Sequence, residues 1–269
     1  MRTYPEFVAA FDRSVLRQPR WILAFIVGLL LAMAFVRLGV WQLDRLDQRR
    51  SANALVAERR DQEPRPLVSL VTQYGLDPDT LDHRPVTVVG RYRTDLEFIS
   101  IGRTYGDVSG TMVVTPLELP DGSLLMVVRG IVPTGTPGPP VEGFGVPTGQ
   151  VDLVGRLDSG EEPLRLGEPD PEDGVVRSIS RIDLSYLDKW MAEKVLPVSL
   201  ILESQAPTDP VDSPVPVPPD ELTEGPHLGY AIQWFAFAAI VVAGVGGLIW
   251  RAGKDVEGGG TEPDPVPQP

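Results

Sequence analysis

The sequence predicts a membrane protein with two transmembrane α-helices flanking a mainly β (α+β) extracytoplasmic domain, built as a small barrel or sandwich. Three observations carry that prediction. Two apolar runs of membrane-spanning length lie near the ends, at Trp21–Trp41 and Tyr230–Trp250. The stretch between them is polar, acidic and rich in proline. Within it, short β-branched runs alternate with turn residues, and one segment has helical periodicity.

The first run reads WILAFIVGLLLAMAFVRLGVW. Arg37 lies one turn before its end, where a long side chain snorkels to the interface, and Trp21 and Trp41 bracket it as interfacial anchors. Ala32-Met33-Ala34 loosely mimics a signal-peptide cleavage site, but the apolar run continues past it. The second run, YAIQWFAFAAIVVAGVGGLIW, is free of charge and stops at Arg251 and Lys254. No Lys or Arg lies between Asp209 and Gly229, so the positive-inside rule runs this helix from outside to cytoplasm. Two spans then place the N-terminus inside, in keeping with Arg2, Arg13, Arg17 and Arg20. Arg45, Arg49 and Arg50 argue the other way; the second helix is the cleaner witness. Glu6 and Asp12 make the leader unlike an acid-poor transit peptide, which points to a bacterial plasma membrane.

The organisation expected is a cytoplasmic N-terminus over 1–20 and a first span over 21–43. An extracytoplasmic domain follows over 44–226, then a second span with its outer mouth over 227–250 and a disordered cytoplasmic tail over 251–269. Leu43 to Arg60 is polar and helix-favouring, so the first helix extends into a stalk that Glu63-Pro64-Arg65-Pro66 breaks. Strands are expected at Pro85–Tyr92, Leu96–Ile101, Gly110–Leu119, Ser123–Val132, Val151–Leu157, Val175–Ile182 and Val198–Leu202. Pro120-Asp121-Gly122 is a hairpin turn. Leu184, Leu187, Met191 and Val195 share one face of an amphipathic helix, expected to cover an open end of the sheet. Pro133–Pro147 and Pro207–Pro219 read as extended loops or linkers.

Composition excludes whole classes of function. A net charge of -13, with 37 acidic against 24 basic residues, offers no footprint for nucleic acid. With no cysteine, disulfide scaffolds, c-type haem attachment, thiol redox enzymes and thiolate copper chaperones are out. The 2 histidines, His83 and His227, cannot easily supply a zinc site. Nothing forms an enzymatic constellation: Glu161-Glu162 reads as a solvated turn, and Gly102–Gly110 does not match a phosphate-cradling loop.

The informative residues sit at the outer ends of the apolar helices. Arg37, Trp41 and Arg45 recur every four residues as one stripe, and His227, Tyr230 and Trp234 form another. A neutral imidazole can ligate haem iron axially, and Arg can pair with propionates. The same residue types favour a membrane interface with no ligand at all, so spacing leaves both readings open.

Leu38–Arg45, LGVWQLDR, resembles the LGxWQLxR signature of the surfeit-locus family of cytochrome c oxidase assembly factors. Thr115-Pro116-Leu117, Asp121-Gly122 and Val128–Pro133 resemble that family's TPL…DG…VxRGWVP segment, with Ile131 where the family has Trp. Gly155-Arg156-Leu157 fits its later strand, and Pro226–Trp234 resembles its HLxYAxxW motif, with Gly225-Pro226 replacing the usual polar pair. The resemblance implies a chaperone role in building the haem-bearing catalytic subunit of cytochrome c oxidase, with haem A as a transient cofactor. By position it implies His227 as the haem-iron ligand; the two stripes offer Tyr230, Trp234, Trp41 and Arg45 as the residues beside it. Other oxidase assembly factors, or the respiratory supercomplex, are the further partners implied. The alternative is a haem-free scaffold or accessory protein bound to the oxidase.

Overall fold

The computed structural model describes residues 13–105, 108–161, 176–210, 212–219 and 221–258. The expectations that rest on the leader before Arg13, on Val175, on Glu162, on Gly106-Asp107 and on the tail beyond Gly258 lie outside these residues. The chain divides into two compact units, Met1–Asn53 with Thr223–Pro269, and Ala54–Leu222.

The first unit is a pair of helices. α1 runs unbroken over Pro19–Arg60, so the apolar run and the polar stretch after it are one helix. α5 runs over His227–Gly258. Both are long and apolar enough to cross a membrane. Their facing residues repeat every three and four positions. On α1 these are the buried Gly28, Ala32, Gly39, Gln42 and Leu46, with Phe35 half-buried. On α5 they are Ala231 and Ala238, flanked by the half-buried His227, Trp234, Val241 and Val245. A spacing that alternates four and three residues keeps one seam facing the partner helix along its length.

Small residues let the backbones approach. A Cβ on Gly28 would lie 2.7 Å from Val245 Cγ2, and one on Gly39 would lie 2.8 Å from Phe235 Cε1. Leu23, Leu30, Ile240 and Val242 point outward and stay more than half exposed.

The second unit begins with three elements that the sequence reading missed. β1 (Arg65–Pro66), α2 (Leu67–Tyr74) and α3 (Pro78–Leu81) follow the break after α1. α2 is too short to show a helical period of its own; Leu67 and Leu70 define it by burial in the core. The main strands are β2 (Pro85–Tyr92), β3 (Phe98–Tyr105), β4 (Val108–Glu118), β5 (Leu124–Val132), β6 (Gln150–Asp158) and β8 (Val195–Ala206). β7 is only Ser178–Ile179, shorter than the expected Val175–Ile182 strand.

The sheet order is β1-β2-β6-β8-β5-β4-β3-β7, and β2 also pairs with β4. Five strands, β2, β6, β8, β5 and β4, therefore form a closed circuit of pairings. β5 and β8 pair in parallel at its centre, and every residue of β5 is buried. Alternate residues of β5 feed opposite faces. Leu125 and Val127 join Val88, Leu117, Leu153 and Leu200 in one cluster, while Met126 and Val128 join Phe98, Met112 and Val114 in another.

The Asp121-Gly122 hairpin forms as expected. Gly122 takes φ +82°, and the Asp121 carboxylate accepts from the Ser123 N–H (3.0 Å) and hydroxyl (2.6 Å). These bonds hold the Asp121 carboxyl below the usual carboxylate range. α4 (Leu184–Trp190) corrects the amphipathic-helix expectation. Asp183 caps it through the Tyr186 N–H, but the helix stops at Trp190 and Val195 opens β8 instead. Leu184 and Leu187 pack with Met126 and Val128, so the helix covers a face of the sheet rather than an open end.

Candidate functional site

In the helix pair, two motifs of the sequence meet. Gln42, from LGVWQLDR, is buried on the seam between Gly39 and Leu46. Its Oε1 lies 2.9 Å from His227 Nδ1, the first residue of α5. An amide oxygen carries no proton, so Nδ1–H donates, and in the neutral ring the lone pair sits on Nε2. Two turns deeper, Trp234 stacks on Phe35 with centroids 5.6 Å apart, and Phe237 closes on both rings. Before α5, Arg50 grips Glu224 with two hydrogen bonds of 2.9 Å, and Asn53 donates to the Thr223 carbonyl. The Arg50 guanidinium holds the Glu224 carboxyl below the ordinary range and is itself raised by that hydrogen bond.

The predicted residues therefore divide. His227 and Trp234 lie on the seam, whereas Trp41, Arg45 and Tyr230 are exposed. Arg45 donates to Gln48 at 2.9 Å. Among the described residues, no hydrogen bond, ion pair or ring contact joins Trp41 or Arg45 to His227, Tyr230 or Trp234. Gln42 is the residue that sequence reasoning missed. Its signal was available: Gly39, Gln42 and Leu46 share the three-four spacing, which puts a polar amide on the face of a helix that packs.

In the domain unit, the other motifs converge on buried charge. Arg129, from VRGIVP, has a fully buried side chain, 3.6 Å from Glu97 and 3.2 Å from Asp209. It also donates to the Phe144 (2.8 Å) and Gly145 (3.1 Å) carbonyls. Thr115, from TPL, donates to Glu97 at 2.7 Å, and the Val141 N–H supplies a second bond of 2.7 Å. Gln205 and Ser213 donate to Asp209, and the Tyr92 hydroxyl donates to Gln205 at 2.7 Å. Burial pushes the Tyr92 phenol up, so it stays a donor.

Arg156, from GRL, lies 3.4 and 3.3 Å from the Val217 and Pro218 carbonyls. The two proline-rich segments are thus pinned rather than free. Pro133–Pro147 is held through Val141, Phe144 and Gly145. Pro207–Pro219 is held through Asp209, Val217 and a two-bond bridge between Ile131 and Val215. Gly130 permits that bridge: it takes φ +147°, and a Cβ there would lie 2.5 Å from the Val215 carbonyl oxygen.

An antiparallel pair of apolar helices and a mixed-sheet domain, with short motifs gathered at one helix mouth and one buried arginine, define a class of helix-flanked β-domain protein. The sequence profile of the SURF1 family matches residues 29–239, and the chain belongs to that family. It is similar to an uncharacterised SURF1-like protein of Mycobacterium tuberculosis, 26% identical over 257 residues, covering 93% of this chain and 92% of that protein. Surfeit locus protein 1 of Rattus norvegicus is 29% identical over 241 residues, covering 82% and 72%. The Homo sapiens protein of that name is 26% identical over 242 residues, covering 82% and 74%.

Proposed function

We propose that this chain is a bacterial plasma-membrane assembly factor for haem–copper cytochrome c oxidase. It spans the bilayer with α1 and α5, keeps both termini in the cytoplasm, and aids haem A insertion into the catalytic subunit. Family membership supports the assembly role, and mycobacterial relatives of nearly full length support a bacterial setting. The outward Leu, Ile and Val of both helices support insertion, since an apolar surface of that extent favours a hydrocarbon solvent. The role is not enzymatic.

The observation that carries the haem reading is the Gln42–His227 bond. Orientation of one ring nitrogen by a hydrogen-bonding partner is how ligating histidines are fixed, and Nε2 is left as the nitrogen that would hold the iron. The donor set fits a haem iron, which already has its ring nitrogens, better than a bare ion. The described residues hold no cluster of three or more His, Cys, Asp or Glu side chains. Bound there, haem A would supply the prosthetic group that the oxidase subunit receives. His227 would hold it, Gln42 would orient His227, and Tyr230, Trp41 and Arg45 are exposed and available to its edge.

The test is the absorption spectrum of the chain purified from cells that make haem A. His227→Ala should lower haem occupancy with the fold intact, and Arg45→Ala should be milder. His83→Ala is the control; His83 sits in a turn against Asp82 at 3.3 Å. A wild-type protein that supports oxidase assembly yet carries no haem would decide for a haem-free scaffold bound to the catalytic subunit or its supercomplex.

A further inference from the structure

Around the domain's circuit of pairings, one stretch of strand edge stays open. β2 pairs with β6 along Pro85–Arg91 on one side. On the other side, β1 covers Val86 and Thr87, and β4 covers Arg91 and Tyr92. Among the described residues no strand covers Val88, Val89 and Gly90 on that edge. The Arg93 N–H donates to the Pro116 carbonyl at 2.8 Å, so odd-numbered residues of this strand turn their backbone groups toward β4. Val89 therefore presents its N–H and C=O to the gap. β4 cannot close it: continuing the Arg91↔Glu118 register would bring Pro120 opposite Val89, and proline has no N–H. The Leu119 N–H is already given to the Ser123 carbonyl in the hairpin.

The gap opens into a largely apolar groove of about 350 Å³. Pro66, Leu67, Val68, Val89, Leu119 and Pro120 line it. Val68 is 76% exposed and Val89 40% exposed, and both line the groove. Single exposed valines are ordinary; a concave apolar site beside unpaired strand backbone is a recognition feature. Asp121 is the charged residue of its lining, Glu118 and Arg91 line an adjoining hollow that shares Val89, Leu119 and Pro120, and the chain carries a net charge of -13.

We propose that this gap is a docking groove for an extended segment of a partner protein. The segment adds its backbone to β2 at Val89, seats one bulky apolar side chain between Val68 and Leu119, and carries a basic residue alongside. A lipid chain could fill the groove but would leave the Val89 backbone groups without partners, which favours a peptide. The inference concerns the domain alone and stands whether or not haem is bound.

The probe is the labelled peptide acetyl-Lys-Val-Thr-Leu-Thr-Val-Lys-amide, titrated onto the full chain in lipid nanodiscs. Binding is read by fluorescence anisotropy, and the Val89 amide by hydrogen exchange. Saturable binding is expected, with Val89 exchange slowed at least about tenfold when peptide is bound. Val68→Asp, on a side chain exposed enough to leave folding alone, should weaken binding at least about tenfold, while Val68→Leu retains it. N-methylation of the central leucine, which removes a donor and keeps the side chain, should abolish it. The proposal is overturned by any of four results. They are no saturable binding, binding unchanged by Val68→Asp, equal binding of the N-methylated peptide, or a Val89 amide already strongly protected in the free protein.

Discussion

Arg129→Leu tests whether the buried arginine holds the domain together. Its side chain is 0% exposed, and Glu97 and Asp209 are each 4% exposed, so the substitution strands two carboxylates away from water. Each keeps neutral donors: Thr115 and the Val141 N–H on Glu97, Gln205 and Ser213 on Asp209. The Phe144 and Gly145 carbonyls lose their donor outright. Removing one partner from a buried ion pair costs about 3–5 kcal/mol. For a domain of this size a kcal/mol moves the melting temperature by about 2–4 °C, so the variant should melt about 6–20 °C lower. The assay is thermal unfolding of the full chain in micelles, followed by near-UV circular dichroism. Adding Glu97→Gln and Asp209→Asn to Arg129→Leu removes the stranded charges and should recover part of the loss. A single variant that melts within about 2 °C of wild type, or a triple variant no better than the single, would refute the reasoning.

The helix pair should be sensitive at its smallest residue. Gly39→Leu must displace Phe235, whose ring would lie 2.8 Å from a new Cβ, at a cost of about 1–3 kcal/mol. Cross-linking of cysteines placed at Gly28 and Val245, in a chain that has none of its own, should fall in that variant. Arg93 donates to Asp95 (2.9 and 2.8 Å) and Glu193 (2.6 Å), and holds both carboxyls below their ordinary range. A depressed folded pKa gives stability that is complete above the unfolded value of about 4 and fades as pH falls through the folded one. Arg93→Met should therefore lower the melting temperature at neutral pH and lose that effect on acidification; a gap that widens in acid contradicts the assignment. A reporter active only outside the cytoplasm should be silent after Lys254 and active within β2–β8; the reverse pattern would invert the topology.

Much of the domain was legible because strand signals are local. β2 was expected at Pro85–Tyr92 and lies there, since its buried residues alternate cleanly through Val86, Val88, Gly90 and Tyr92. β8 was read as Val198–Leu202 but extends over Val195–Ala206. Its ends owe their strand state to pairing with β5 and β6, which no local pattern announces. The partners of Arg129 were beyond reach for the same reason. An arginine inside LLMVVRGIV demands a buried carboxylate. Nothing in the neighbourhood of Glu97, or of Asp209 in a proline-rich stretch, says that it is the one.

By itself the sequence determined the two apolar helices, the hairpin at Asp121-Gly122, the strand-rich domain between the helices and the motifs that mark the family. Each of these rests on spacing along the chain: hydrophobic length, a period of two, or the conformational freedom of one glycine. Only tertiary structure decided that Gln42, rather than Trp41 or Arg45, meets His227. It alone decided that the proline-rich segments are clamped by Arg129 and Arg156, and that β2 keeps an open edge at Val89. Those outcomes depend on which side of an element faces which neighbour. A rotation of one residue, 100° on a helix or a full reversal on a strand, separates a buried contact from an exposed one.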